Sequence, residues 1–177
     1  GISPDDVEIE TGKHEVSLKM KNKHYWDRWN FDNGYDGRYA RVKLYYKTLE
    51  NVEVRAGSQL WSQTPVEGKF LSLVSKMGAE VQIDVNVDRL ELDASMGSDV
   101  ELSGLTNQLY VTSKMGSSVK ASHLQSQEAE VSSSMGSEVS VNASKQLDAS
   151  AGFGATIRYS GDPMVKHTST NFGADIH

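Results

Sequence analysis

The 177-residue chain has no cysteine, which excludes disulfide scaffolds, thiolate zinc sites and cysteine nucleophiles. It has only three prolines beside fifteen glycines, which fits neither a proline-rich linker nor collagen. No stretch reaches the ~18 apolar residues of a membrane-spanning helix, so no transmembrane segment is predicted. The net charge of −6 argues against a nucleic-acid partner, because phosphate binding needs clustered positive charge.

One motif, Met/Phe-Gly-Ser/Ala-x-Val/Ile, recurs six times in the second two thirds of the chain. Its glycines follow one another at a nearly constant step, with one step slightly longer and the next slightly shorter: Gly78, Gly97, Gly116, Gly136, Gly154 and Gly173. Between the motifs, apolar and polar residues alternate, as in Leu90-Glu-Leu-Asp-Ala-Ser95. This period of two is typical of strands with one buried face, and no window shows a helical period.

A unit of this length cannot bury its apolar face alone, so the copies must stack. The repeat therefore predicts an all-β fold, a right-handed single-stranded parallel β-helix (β-solenoid) of about 19-residue coils. Its core ladder would contain Val81, Val100, Val119, Val139, Ile157 and Ile176. Residues 51–177 would form the solenoid, and residues 1–50 a small strand-rich N-terminal cap continuous with it as one structural domain.

The corner glycines are explained by the tight bend that each coil requires, since glycine adopts positive φ without strain. A Met/Phe column precedes them: Met77, Met96, Met115, Met135, Phe153 and Phe172. It is in phase with the inward leucines, which favours a place in the core over an exposed stripe, although a kink at the glycine would reverse that phase. The column after the corner (Glu80, Asp99, Ser118, Glu138, Thr156 and Asp175) is interpreted as a solvated turn rather than a calcium site.

The first third is not repetitive, and strands are expected at 7–10, 16–20 and 40–45. Eight of the fourteen aromatic residues fall between Tyr25 and Tyr46. Rings beside Asp and Asn are typical of sugar-binding surfaces, which combine stacking with directional hydrogen bonds. The candidate binding residues are therefore Tyr25, Trp26, Trp29, Phe31 and Tyr35. The alternative is that these rings pack within the cap or against a neighbouring subunit.

The sequence contains no arrangement typical of catalysis. The five histidines are scattered without metal-ligand spacing, and no P-loop, nucleophile elbow or dinucleotide fingerprint occurs. Catalytic parallel β-helices build their clefts from long inserted loops, whereas the coils between Met77 and His177 carry no insertion. We therefore expect no enzymatic activity, no cofactor and no metal site.

Leu90-Glu-Leu-Asp-Ala-Ser-Met-Gly-Ser-Asp-Val-Glu-Leu-Ser-Gly-Leu105 resembles the serial units of a bacterial family of auto-transporter adhesins with a head GIN domain. The run from Val42 to Gly57 is similar to that family's entry into its first coil, and the segments 157–163 and 172–176 are similar to its closing units. The chain departs from the family by placing Met or Phe where Gly or Ser is usual at the corner. The resemblance implies a right-handed β-helix without catalytic residues, a periplasmic or surface location, and an adhesive role.

Together these observations predict an exported, non-enzymatic binding or adhesion module of the bacterial envelope whose partner is a glycan or a surface protein. The alternative is a structural protein that self-assembles into a homo-oligomer through end-to-end or side-by-side solenoid contacts. For that alternative, the expected feature is an uncovered edge on the C-terminal coil.

Overall fold

The computed structural model of the chain describes residues 7–12, 15–20 and 41–177. Two compact units divide the chain, Gly1–Tyr45 and Tyr46–His177. In the first unit, strands β1 (Val7–Thr11) and β2 (Val16–Met20) form an antiparallel pair. The turn between them includes a hydrogen bond from the Gly12 amide to the Glu15 carbonyl, 2.7 Å long.

The strand expected at 40–45 is wrong for its described part, because residues 41–50 contain no strand. Their apolar and polar residues alternate, but residues 41–48 are exposed. Alternation specifies a strand only where a neighbouring backbone accepts its hydrogen bonds. Among the described residues, the first strand of the second unit begins at Asn51.

The second unit contains one sheet, to which ten of the described strands belong. They are β3 (Asn51–Arg55), β4 (Gln59–Trp61), β5 (Val66–Lys76), β6 (Glu80–Ser95), β7 (Asp99–Lys114), β8 (Ser118–Ser134), β9 (Glu138–Gly152), β10 (Thr156–Ser160), β11 (Val165–Thr170) and β12 (Asp175–Ile176). No helix occurs in the described part of the chain.

All pairings in the second unit are parallel, and they join residues one repeat apart. Strands β6 and β7 pair Glu80 with Asp99 and continue to Ser95 with Lys114 at the same offset. Each strand from β5 to β10 thus forms hydrogen bonds with both the coil before it and the coil after it. The prediction of a β-solenoid is confirmed, with about seven turns of some 19 residues each.

The core consists of columns of like residues inside the coils. Val81, Val100, Val119, Val139 and Ile157 pair successively and are at most 1% exposed, and partly buried Ile176 pairs with Ile157. A parallel column contains Leu71, Leu90, Leu109, Ala129 and Leu147. Since burial of a Val or Leu side chain contributes about 1.5–3 kcal/mol, these columns dominate the stability of the unit.

The expectation that the Met/Phe column faces the core is wrong. At the first of these corners, both Met77 (φ 58°) and Gly78 (φ 67°) have left-handed backbone angles, as the central residues of a type I′ turn do. The same pair of angles recurs at the five following corners within about 10°. The alternation of a strand therefore stops at the corner, and Met77 lies outside the coil between inward Ser75 and inward Ala79.

A small buried residue follows each of the first five of these corner glycines. In three consecutive coils it is serine (Ser98, Ser117 and Ser137, each 1% exposed). The Ser117 hydroxyl lies 3.0 Å from the carbonyl oxygen of Ala94 in the preceding coil and accepts a hydrogen bond from the Lys114 amide at 3.1 Å. This hydroxyl therefore closes the turn and connects two coils, which a larger side chain in the same space would prevent.

One coil is longer than its neighbours at a single bend. The pairing of β7 with β8 shifts between Glu101 and Ser103, and that of β8 with β9 shifts between Ala121 and Gln125. These irregularities accommodate the one longer and the one shorter step of the repeat, because the extra residues bulge while the strands on either side stay in register.

Candidate functional site

Two surfaces of the solenoid present side chains that the core does not require. The first is an open groove of about 550 Å³. We call it the amide groove and define it by Asn86, Asp88, Leu105, Asn107, Gln125 and Gln127. The second is the exposed column of Met77, Met96, Met115, Met135, Phe153 and Phe172, which we call the Met/Phe ridge.

A chain of hydrogen-bonded side chains crosses three coils in the amide groove. The Asn107 amide nitrogen donates to Asp88 Oδ1 at 3.1 Å, and the Gln127 amide nitrogen donates to Asn107 Oδ1 at 2.8 Å. The Asp88 carboxylate accepts, the Asn107 carboxamide both donates and accepts, and the Gln127 carboxamide donates, so the three side chains are held in one orientation.

The opposite wall of the groove has unsatisfied hydrogen-bonding capacity. The carboxamides of Asn86 and Gln125 line the groove and are exposed. Within residues 7–12, 15–20 and 41–177 they have no hydrogen-bond partner. Each offers both a donor and an acceptor to a ligand in the groove.

Gly104 determines the shape of the groove next to Leu105. It has φ +107° and pairs with Val85, and a Cβ at this position would overlap the Val85 carbonyl oxygen. This close backbone approach requires glycine. The next residue, Leu105, pairs with Asn86 and with Gln125 and so stands in the same row as these two carboxamides. Its side chain is 52% exposed, and it is the one large apolar group on the described lining that is half-exposed.

The Met/Phe ridge follows the corners of six successive coils. The four methionines are 46–52% exposed, Phe153 is 59% exposed and Phe172 is 73% exposed. The two phenylalanine rings stack, with centroids 4.8 Å apart and planes 11° apart. Each methionine is about half covered by its neighbours in the column, and its outer half contacts solvent.

Charges of opposite sign border the ridge. Lys76 and Lys114 immediately precede ridge methionines, whereas Glu80 and Asp99 follow the corners on the other side. Asp99 also forms an exposed ion pair with Lys120 at 3.7 Å. Exposed pairs of this kind contribute at most about 1 kcal/mol, so these carboxylates remain available to solvent and ligands.

The predicted binding residues Tyr25, Trp26, Trp29, Phe31 and Tyr35 all lie outside the described residues. Their role as a binding surface stays a prediction from the sequence.

The sequence analysis missed the amide groove. Its signal was present, since Asp88, Asn107 and Gln127 follow one another at the step of the repeat. To recognise the groove, one must know that the residue before each of these side chains points into the coil. Thr106 and Ser126 do so, and they are 5% and 3% exposed.

The carboxylates near the groove are engaged or scattered: Glu91 is bound to Arg89 at 2.5 Å, and the Arg89 guanidinium stacks 4.4 Å from the centre of the Tyr110 ring. In the described ranges, no three His, Asp or Glu side chains converge as metal ligands. The same ranges include no helix long and apolar enough to span a membrane.

The fold of the second unit defines a repeat protein of the β-solenoid class, with a regular lateral surface. The chain belongs to the family described as "Putative auto-transporter adhesin, head GIN domain", whose model matches residues 3–163. Membership of this family supports a binding role for the chain.

Two solved structures share the fold. One is a "putative adhesin" from Bacteroides fragilis NCTC 9343, with 17% identity and a TM-score of 0.77 over 97% of this chain and 76% of that one. The other is a "putative lipid binding protein" from Parabacteroides distasonis ATCC 8503, with 16% identity and a TM-score of 0.62 over 98% of this chain and 79% of that one. No curated protein sequence matches the chain significantly.

Proposed function

We propose that the chain is an exported, non-enzymatic adhesion module of the bacterial cell envelope that binds a glycan or a surface protein in the amide groove. The observation that supports this most is the pair of exposed carboxamides of Asn86 and Gln125, which have no hydrogen-bond partner among the described residues and line the same groove as the fixed row of Asp88, Asn107 and Gln127. Sugar hydroxyls and extended peptide backbones both present alternating donors and acceptors, which carboxamides match.

The groove has the dimensions and chemistry of a surface that holds a long ligand. It is lined by residues from five successive coils, and its side chains repeat at the coil spacing of about 4.8 Å. A ligand lying along the solenoid axis would meet Asp88, Asn107 and Gln127 in three successive coils. Apart from Asp88, the lining side chains carry no charge, which favours a neutral polymer.

The experiment compares groove variants with a matched carboxamide control. A glycan array and a pull-down from surface extracts are performed with the wild-type protein, with Asn86→Ala/Gln125→Ala, and with Gln63→Ala/Gln82→Ala. The control residues are exposed carboxamides outside the groove. We expect the groove variant to lose binding by about tenfold or more, with an unchanged melting temperature, and the control to bind normally.

A blank array together with a blank pull-down would contradict the proposal, and so would equal binding by the two double variants. Trp26→Ala/Trp29→Ala is included in the series because the aromatic segment is the other candidate surface. Loss of binding in this variant alone would move the contact from the groove to residues 25–35.

Self-assembly is the second candidate function, and the last coil favours it. Strand β11 (Val165–Thr170) is exposed along its whole length and, among the described strands, pairs only with β9. An edge of this kind can accept the strand of another copy. Light scattering at rising protein concentration tests this, and a strict monomer at millimolar concentration would contradict it.

A further inference from the structure

Each methionine corner of the Met/Phe ridge combines two unfavourable features. The methionines have φ of 56–58°, in the left-handed region, where a residue with a Cβ costs about 1–2 kcal/mol. These methionine residues are also about half-exposed. Asn, Asp or Gly would adopt this backbone with less strain, yet Met stands at Met77, Met96, Met115 and Met135.

The four methionines are held in one column by the backbone. The amides of the corner glycines donate to the methionine carbonyls of the next coil: Gly78 to Met96 (3.0 Å), Gly97 to Met115 (3.1 Å) and Gly116 to Met135 (3.0 Å). Because the backbone angles at the four corners are nearly identical, the side chains leave the coils in the same direction. Neighbouring side chains therefore start about 4.8 Å apart.

We propose that these four methionines form a binding site for a soft monovalent cation, Cu(I) or its analogue Ag(I), held by neighbouring thioether sulfurs. Thioethers select soft cations and do not compete for Mg²⁺ or Ca²⁺, which prefer oxygen ligands. An unbranched side chain with three rotatable bonds lets adjacent sulfurs converge on one ion. The chain has no cysteine, so methionine supplies its only sulfur ligands.

The surroundings of the ridge support a cation site at the end nearest Met77 and Met96. Glu80 and Asp99 follow these corners and are exposed, and they balance the charges of Lys76 and of Lys120, the ion-pair partner of Asp99, so no excess positive charge opposes a cation here. Phe153 and Phe172 continue the ridge without a ligand atom, and their stacked rings close the column beyond Met135. The site is thus limited to the four methionine coils.

The test uses titration with Ag(I), and anaerobically with Cu(I), followed by calorimetry and by ¹³C NMR of the methionine methyl groups. The variants are Met96→Leu/Met115→Leu, which keeps apolar bulk on the ridge, and Met164→Leu, which removes an 83% exposed methionine outside it. We expect the double variant to weaken Ag(I) binding by at least about tenfold and Met164→Leu to leave it unchanged. In the wild-type protein, the ridge methyl signals should shift and that of Met164 should not.

Histidine side chains could bind the same cations, and the pH dependence of binding distinguishes histidine ligands from methionine ligands. A thioether is not protonated in water, whereas an imidazole with its ordinary pKa near 6.5 is lost as a ligand at about pH 5. Binding should therefore have the same affinity at about pH 5 and pH 7. The proposal is overturned if affinity collapses at the lower pH, if the double variant binds like wild type, or if the ridge methyl signals do not move. The last measurement decides the matter even if the double variant misfolds.

Discussion

Val119 lies in the middle of the longest core ladder, so its replacement tests the solenoid directly. It is 1% exposed and pairs with Val100 in one coil and Val139 in the next. Val119→Ala removes about two methyl groups' worth of buried surface, at about 0.8 kcal/mol each, and leaves a cavity. We expect a loss of about 2 kcal/mol in the free energy of unfolding.

Val119→Asp should be far more harmful, because it places a carboxylate in the ladder without a partner. Such changes belong to the largest class of destabilising substitutions, about 4 kcal/mol or more. Burial raises the pKa of the introduced carboxyl. The folded variant therefore binds its proton more tightly than the unfolded chain does, and the variant loses stability as pH rises through the interval between the two pKa values. The defect should be smaller at about pH 4 than at pH 7.

The assay is thermal unfolding followed by circular dichroism. In a chain of this size, 1 kcal/mol corresponds to about 2–4 °C, so we expect a fall of about 4–8 °C for the alanine variant and more than ~8 °C for the aspartate variant at pH 7. Ser150→Asp is the control, since Ser150 is exposed on a strand and gains the same charge. If Val119→Asp has the same melting temperature as Ser150→Asp, the inward position of the ladder is refuted.

Two further pairs of substitutions test the corners and bends by thermal unfolding. A Cβ added at Gly97 would meet open space, but the residue keeps φ +69°, so Gly97→Ala should lower the free energy of unfolding by about 1–2 kcal/mol. At Gly104 the added Cβ would also overlap a backbone oxygen, so Gly104→Ala should lower it clearly more. Equal losses would contradict the close approach at Gly104. Among the described residues, the buried hydroxyl of Ser75 has no hydrogen-bond partner, so Ser75→Ala should be neutral or stabilising. Ser113→Ala removes the hydrogen bond to Ser117 Oγ (2.8 Å) and should cost about 1–3 kcal/mol, and a reversed order of these two serine variants would refute the assignment.

The sequence predicted the solenoid well because stacking turns a one-dimensional pattern into a contact map. Once Val81 and Val100 are recognised as the same position in successive repeats, their pairing follows from the parallel stacking of the coils. The alternation within a coil then assigns inward and outward residues along the straight strands. A period of two is sufficient there because no other element covers the outer face of the described strands.

The same reasoning failed at the corners, where the backbone is no longer extended. The direction of Met77 depends on two successive left-handed residues, and nothing in the apolar pattern signals that a methionine adopts such an angle. The amide groove was missed for a related reason. Its walls arise where the coil bends between outward Asn86 and outward Asp88, and the position of this bend follows from packing inside the coil rather than from residue type.

The bulge in β8 shows where this architecture accepts a change in chain length. Pairing resumes at Gln125 although residues 122–124 have no counterpart in the next coil, and after a second shift between Ser126 and Glu128 it continues without interruption to Ser134. Additional residues placed between Ser122 and Leu124 would leave the solenoid beside the amide groove rather than force its coils apart. Loop grafting at this bend would therefore give a new recognition segment on an otherwise unaltered scaffold.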